Sequence, residues 1–330
     1  MNEKIDFIIT WVDGWDKERQ KERNKYAWKD PEDFADYRFR DMDTLKYLFR
    51  WIEKFAPRVN NVFFVTCGHY PSWLNLDYPK LRFVKHEDYI PKQYLPTFNS
   101  HTIELNFHRI KDLSERFVYF NDDMFLTDYT KESDFFENWL PKQTAWLSAL
   151  PTNDQVFAHI MLNNILLINK HFSYNEIINK NRKKRYYPWY SPRIIAQTIF
   201  LKFYPCIVWF VNPHLPNSIL KLTMNKLWKE ENDILDISSK SKFRSETNVN
   251  QYIFSWYDIA RWNFMPRKSN IWHCYNITKN NKILTNSIIK QKYKMLCIND
   301  TSNDFDFEKA KLELISAFEK ILPEKSSFEK

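Results

Sequence analysis

The stretch FVYFNDDMFL, residues 117–126, decides how this chain is read. Seven of its ten residues are apolar, the composition of a strand buried on both faces. Yet Asn121, Asp122 and Asp123 stand consecutively in its middle. Burying a carboxylate without a partner is expensive, so two adjacent ones call for a cation or a turn. Three other short apolar runs also end in polar clusters. IDFIITWV leads to Asp13-Gly14, NVFFVTC to Gly68-His69, and LRFVKH to Glu87-Asp88. Between the first two, Met42, Leu45, Leu48, Phe49, Ile52 and Phe55 recur at helical spacing, with Asp41 or Asp43 as cap and Pro57 beyond. Before FVYF, Asn99 or Ser100 caps a second helix carrying Ile103, Phe107 and Ile110 on one face. Strands alternating with helices predict an α/β fold with a mainly parallel sheet and helices on both faces. Ligands of such sheets bind at the carboxyl ends of the strands, where all four polar clusters would gather.

Composition narrows the function. The 330 residues hold two glycines, Gly14 and Gly68, so neither GxGxxG nor GxxxxGK[ST] can be written and the glycine-loop nucleotide classes are excluded. Both glycines follow strand-like runs, in TWVDGW and TCGH, and are read as parts of site loops, kept where φ > 0 or close ligand approach demands them. The formal charge of +8 suits phosphorylated small molecules, an anionic membrane surface or nucleic acid, or simply a solvated basic surface. Cys67, Cys206, Cys274 and Cys297 form no CxxC pair, which argues against a structural zinc site or disulfide framework and fits a reducing compartment. No secretory pattern opens the chain, and the apolar stretch 194–210 is interrupted by Gln197, Lys202 and Pro205. A soluble or peripherally bound cytoplasmic protein is expected.

The chain divides into an α/β core over 1–126, an aromatic and basic insertion over 127–210, and a helical part over 211–330 that completes the site. The insertion reads as irregular. Its run NKNRKKRYYPWYSPR (179–193) is a solvated loop on the plainest reading and a membrane-facing patch on the sharper one. Helices are expected over NSILKLTMNKLWKEENDIL, NVNQYIFSWYDIARW and FEKAKLELISAFEKIL.

Several groups could carry chemistry. The Asp122-Asp123 pair at a strand end suits a hard divalent cation held together with a diphosphate. His101, Glu104 and His108 fall on one helical face, and an internal hydrogen-bonded seam outweighs a zinc reading. His214 is pinned between Pro213 and Pro216, where an imidazole could take a proton. In KFRSETNVNQYIF, Arg244 with Asn248, Asn250 and Gln251 at a helix opening makes a phosphate cradle, and Arg38 and Arg40 offer another. Surface salt bridging is the alternative for both.

Four blocks together resemble the Stealth family of sugar-phosphate transferases. They are IDFIITWVDGWD (5–16); RFRDMDTLKYLFRWIEKFAPRVNNVFFVT through to LSERFVYFNDDMFL (38–126); NPHLP with FRS, NVNQYIF and NFMP (212–266); and MLCINDT with ILPEKSSFE (295–329). The resemblance implies a GT-A-like, Rossmann-like core and transfer of a hexose 1-phosphate from a UDP-sugar donor to a glycan hydroxyl, with release of UMP. Capsule, exopolysaccharide or lipopolysaccharide synthesis would be the setting. It implies that Thr10, Trp11, Asp13 and Gly14 hold the donor, with Arg40, Asp41, Asn99, Ser100, Asn121, Asn250 and Gln251 as further substrate residues. His214, Asp123 and Arg244 would be catalytic, and Asp122 with Asp123 would hold Mg²⁺ or Mn²⁺. The chain departs from the family at TCGH, where TNGQ is common, and at Asn248, where an Asp is common. The second loss would shift metal ligation onto Asp122, Asp123 and Asn250, or loosen it. A metal-dependent glycosyltransferase releasing UDP is the runner-up. A non-catalytic binder of polyanions or membranes ranks last, and nucleic acid is not expected as a partner.

Overall fold

The computed structural model describes residues 4–26, 41–152, 154–211, 213–300 and 304–330. The four apolar runs become β1 (Ile5–Thr10), β2 (Val62–Thr66), β3 (Leu81–Lys85) and β4 (Arg116–Phe120). They are parallel in the order β3-β2-β1-β4, with Phe7 opposite Val62 and Ile9 opposite Phe120. Successive residues of β1 explain the unbroken apolar run. Phe7 and Ile9 enter one hydrophobic core while Ile8 enters the other, so both faces of the strand are covered.

The opening stretch is two strands. β4 ends at Phe120, residues 121–123 turn, and β5 (Met124–Leu126) pairs antiparallel with a strand of another sheet. A small sheet follows from β6 (Phe136–Glu137), β7 (Leu140–Gln143) and β9 (Met265–Pro266). β8 (Asn217–Leu220) pairs antiparallel with β4 and closes the five-stranded sheet. The second sheet has the order β10 (Trp272–Asn276), β11 (Met295–Asn299), β5. Its tie to the turn is direct: Ile298 N–H donates to Asp123 C=O at 2.9 Å. A turn, not a continuous strand, thus admits the two aspartates.

Helix α1 (Lys17–Tyr26) leaves the β1 loop, and α2 (Leu45–Phe55) buries Leu45, Leu48, Phe49, Trp51, Ile52 and Phe55. Neither expected cap is used: Thr44 holds the N-cap position, Asp43 sits at φ 54, and Asp41 Oδ1 accepts from Asp43 N–H instead. A short α3 (His86–Tyr89) precedes α4 (Ser100–Leu105). Asn99 does cap α4, accepting from His101 N–H at 3.1 Å, but a 3-10 turn over Phe107–Arg109 replaces the helix before Ile110.

Two further expectations are corrected. NSIL forms strand β8 because the exposed edge of β4 offers it a ladder, and the helix begins only at Lys221. The 127–210 insertion is ordered around a 17-residue helix, Gln155–His171, capped by Asp154. Within the basic run, Arg185 is buried and donates to Ile177 C=O at 2.6 Å, and Lys184 donates to Trp262 C=O at 3.0 Å. That run is therefore not a solvated loop throughout. No described helix is long and apolar enough to cross a membrane. The helix Phe307–Ile321 docks as its stripe predicts, burying Ala310, Leu314, Ala317 and Phe318. Phe318 meets Trp51 edge-on at 4.8 Å and Phe125 at 5.3 Å, which joins α2, β5 and this helix in one core. Beside it, Arg50 makes a two-pronged pair with Glu329, at 2.8 and 2.9 Å.

Candidate active site

The carboxyl ends of β1 and β4 open onto a cavity of about 290 Å³. Of the residues singled out in the sequence, Thr10, Trp11, Asp13, Gly14, Asp41, Ser100, Asn121, Asp122 and Arg244 line it, whereas Asp123 and His214 stand behind Asn121 and Asp122. Arg38 and Arg40 lie outside the described residues. The first glycine loop is a site loop but not for a positive φ; Gly14 C=O accepts from Gln20 Nε2 at 2.6 Å, which pins the start of α1. Gly68 does take the left-handed region, at φ 125. Its loop stands behind the first, where Asp13 N–H donates to His69 Nε2 at 2.7 Å and Trp11 packs edge-on against the His69 ring.

Asn99, Asn250 and Gln251 are buried away from this cavity. Asn99 Nδ2 donates to Asn248 Oδ1 at 2.9 Å and to Phe243 C=O at 3.1 Å, fixing the loop that presents Arg244. Asn250 Oδ1 accepts from Asn164 Nδ2 at 2.8 Å. Asn248 is held by Asn99, Ser245 and Ser241, so the amide here clamps a loop. The helix starts only at Tyr252, so Arg244 comes from the loop before it and bonds Ser100 Oγ at 3.0 Å.

Cavity residues that the sequence did not reveal are Arg19, Arg23, Glu104 and Tyr119. In KERQKERNKY the two arginines look like any solvated helical face. Asp16 Oδ1 accepts from Glu18 and Arg19 N–H, which starts α1. Arg19 then donates to Thr97 C=O at 2.6 Å and lies 4.6 Å over the Phe98 ring. Glu104 leaves the expected seam. His101 and His108 are buried with lowered pKa values, His108 to about 3 through burial, while Glu104 faces the cavity and accepts from Tyr119 Oη at 3.2 Å. Burial pushes the Glu104 carboxyl up to about 7, against the pull of Arg244.

Asp122 and Asp123 part company. Asp122 is open to the cavity yet enclosed by protein behind; burial first, then Asp123 and Asp41, raise it to about 7. Asp123 turns to His214, whose Nε2 lies 3.1 Å from Asp123 Oδ2 and 3.2 Å from Asn121 Nδ2. His214 Nδ1 is 3.3 Å from Tyr252 Oη. Burial disfavours the imidazolium, but the Asp123 charge outweighs it and raises His214 to about 9. Asn121 Oδ1 competes with Glu104 for the single Tyr119 hydroxyl proton, and Tyr119 Oη lies 3.1 Å from Thr10 Oγ1, whose hydroxyl can donate to it. A hydrogen-bonded chain thus runs from the cavity wall to the imidazole. Cys297 Sγ approaches Asp123 Oδ2 at 3.5 Å from the far side. The arrangement can move a proton at His214 Nε2 and set cationic side chains opposite carboxylates across one cleft.

Residues 38–144 match the family described as Stealth protein CR2, conserved region 2. The chain is 41% identical to capsular polysaccharide phosphotransferase WcwK of Streptococcus pneumoniae over 99% of this chain and 98% of that one. It is 35% identical to receptor polysaccharide phosphotransferase WefC of Streptococcus gordonii, over 100% of both chains. Exopolysaccharide phosphotransferase cps2G of Lactiplantibacillus plantarum is 36% identical over 99% of this chain and 96% of its own. Among solved structures, galactosyltransferase LgtC covers 94% of this chain and 95% of its own at 11% identity and a TM-score of 0.38, a distant likeness.

Proposed function

The chain belongs to the Stealth family of capsular and exopolysaccharide phosphotransferases, and from that premise we propose that it transfers a hexose 1-phosphate from a UDP-sugar to a glycan hydroxyl, releasing UMP. One observation carries the reading: His214 Nε2, beside Asp123, is 3.2 Å from Asn121 Nδ2, and Asn121 lines the cavity together with Asp122 and Arg244. Arg19, Arg23 and Arg244 receive the diphosphate, Phe98 and Phe243 offer an apolar wall to the uracil, and the β1 loop from Thr10 to Gly14 closes over the nucleotide.

The acceptor hydroxyl meets the His214 imidazole, which takes its proton as oxygen attacks phosphorus in line with the departing UMP. Because Asp123 holds the imidazole charged up to about 9, only the minor neutral fraction acts at pH 7. Arg244 balances the charge on the phosphoryl oxygens. Asp122 and Asp41 fit a hard divalent cation, for both line the cavity, the Asp41 charge helps to raise Asp122, and their donors are all oxygen. When bound there, Mg²⁺ or Mn²⁺ would supply charge neutralisation to the diphosphate. Asp123, engaged by His214, is left to orient the base.

The acceptor end is proposed to lie at the inner face of a membrane. Trp189, Phe200, Phe203 and Tyr204 are exposed on one stretch, with Lys268 4.8 Å over Trp189 and Lys202 5.2 Å over Phe203. The assay of the function is product analysis. Protein, a panel of UDP-sugars, Mg²⁺ and candidate glycans should yield UMP and a phosphodiester phosphorus signal. UDP with an ordinary glycosidic product would show the sugar transferred without its phosphate and sink the proposal.

A further inference from the structure

The spacing of the cysteines hides a cluster that only the fold assembles. Asp123 comes from the β4–β5 turn, His214 from the loop before β8, and Cys297 from β11. Their carboxylate, imidazole and thiol ligand atoms all lie within 4.8 Å of one another. The edges are His214 Nε2 to Asp123 Oδ2, 3.1 Å, and Cys297 Sγ to the same oxygen, 3.5 Å. Ligand bonds of about 2.0–2.3 Å at tetrahedral angles put neighbouring donors roughly 3.3–3.7 Å apart, so a small closure of this triangle suffices.

A further observation points to an ion. Asp123 Oδ1 is shielded from water and has no hydrogen-bond partner among the described residues. Cys274 is the register partner of Cys297 on the adjacent strand β10. Asn299 holds the pair in position, accepting from Cys297 Sγ and donating to Cys274 Sγ, both at 3.1 Å. A hard cation prefers all-oxygen donors, whereas sulfur with imidazole selects zinc and its neighbours.

We infer that Asp123, His214 and Cys297 form a site for a thiophilic divalent cation of the zinc class. It is separate from the oxygen donors Asp122 and Asp41. On binding, the cation sheds water, the Cys297 thiol and the His214 imidazolium each lose a proton to solvent, and His214 Nε2 gives the freed lone pair to the metal. The imidazole then cannot accept a proton, so zinc switches transfer off. That consequence rests on the function proposed above; the binding does not.

The test uses the full chain, reduced and freed of metal, titrated with Co²⁺ as a spectroscopic probe of zinc sites. A thiolate-to-cobalt charge-transfer band should saturate with one ion, vanish on adding Zn²⁺ and persist in excess Mg²⁺. It should be lost in Cys297→Ser and kept in Cys206→Ser, whose thiol is exposed. The isosteric Cys297→Ser should also weaken zinc by about a hundredfold. Absence of the band, its survival in Cys297→Ser, or its removal by Mg²⁺ would overturn the site. Zinc should suppress UMP release over the same concentration range as it displaces cobalt. A band with unaffected UMP release overturns the switch, whereas a band in a protein that turns over no UDP-sugar strikes the function and leaves the site standing.

Discussion

Replacing His214 by alanine removes the group proposed to take the acceptor's proton, and turnover should fall by about 10²–10⁴. The circular dichroism spectrum should not change, because the imidazole is partly exposed and fills no core position. Near-wild-type UMP release by that variant would refute the base. The sign of the pH dependence follows from Asp123. A base raised to about 9 must lose its proton to act, so the rate should climb with pH toward that value. Asp123→Asn, lacking the charge, should move the climb to lower pH. Glu104 gives a stability counterpart. Its carboxyl titrates at about 7 in the fold against a usual 4.5, so the folded state holds the proton more tightly than the unfolded chain. Stability tied to that proton is present at low pH and lost as pH rises from 4.5 through 7, roughly 3 kcal/mol in all. Urea midpoints at pH 5 and pH 8 should therefore differ less in Glu104→Gln than in the wild type. Some of these residues were legible and some were not. The Asp122-Asp123 pair and His214 announce themselves by unusual neighbours, an apolar run and two prolines. Arg19 and Arg23 do not, since an amphiphile-free charged helix looks the same whether it faces water or a cleft.

At the element scale, β1 to β4 were readable because a strand covered on both faces must be apolar throughout. The start of α2 was not, since capping depends on backbone geometry that two aspartates one residue apart leave open. NSIL failed for a different reason: its four residues suit helix or strand, and the partner edge of β4 lies about 100 residues away (Asn217 pairs with Tyr119). The C-terminal helix was legible from its stripe. What the stripe touches gives a quantitative expectation. Phe318 packs among Tyr47, Trp51 and Phe125, so Phe318→Ala should cost about 3–5 kcal/mol through lost burial and the cavity left behind. Denaturant unfolding measures it. A loss under about 1 kcal/mol would mean that the helix is not anchored by that ring.

The whole molecule gathers its site from segments between Thr10 and Cys297, so no short stretch of sequence could display it. Charge surplus alone did not distinguish phosphate wall from membrane face. The cations occupy two places: three arginines line the cavity, while Lys202 and Lys268 stand over exposed aromatic rings of the 127–210 segment. Phe200 and Phe203 are 78% and 79% exposed, and Phe200→Ser with Phe203→Ser should reduce co-sedimentation with anionic vesicles while leaving folding intact. Equal sedimentation of variant and wild type would exclude that face. The three-residue turn between β4 and β5 has one more implication. Asp123 is fastened by its backbone to β11 and by its carboxylate to His214, so it behaves as a pivot between two gears. One extra residue in that turn would throw the teeth out of phase, swinging the carboxylate off the imidazole while each sheet stayed whole.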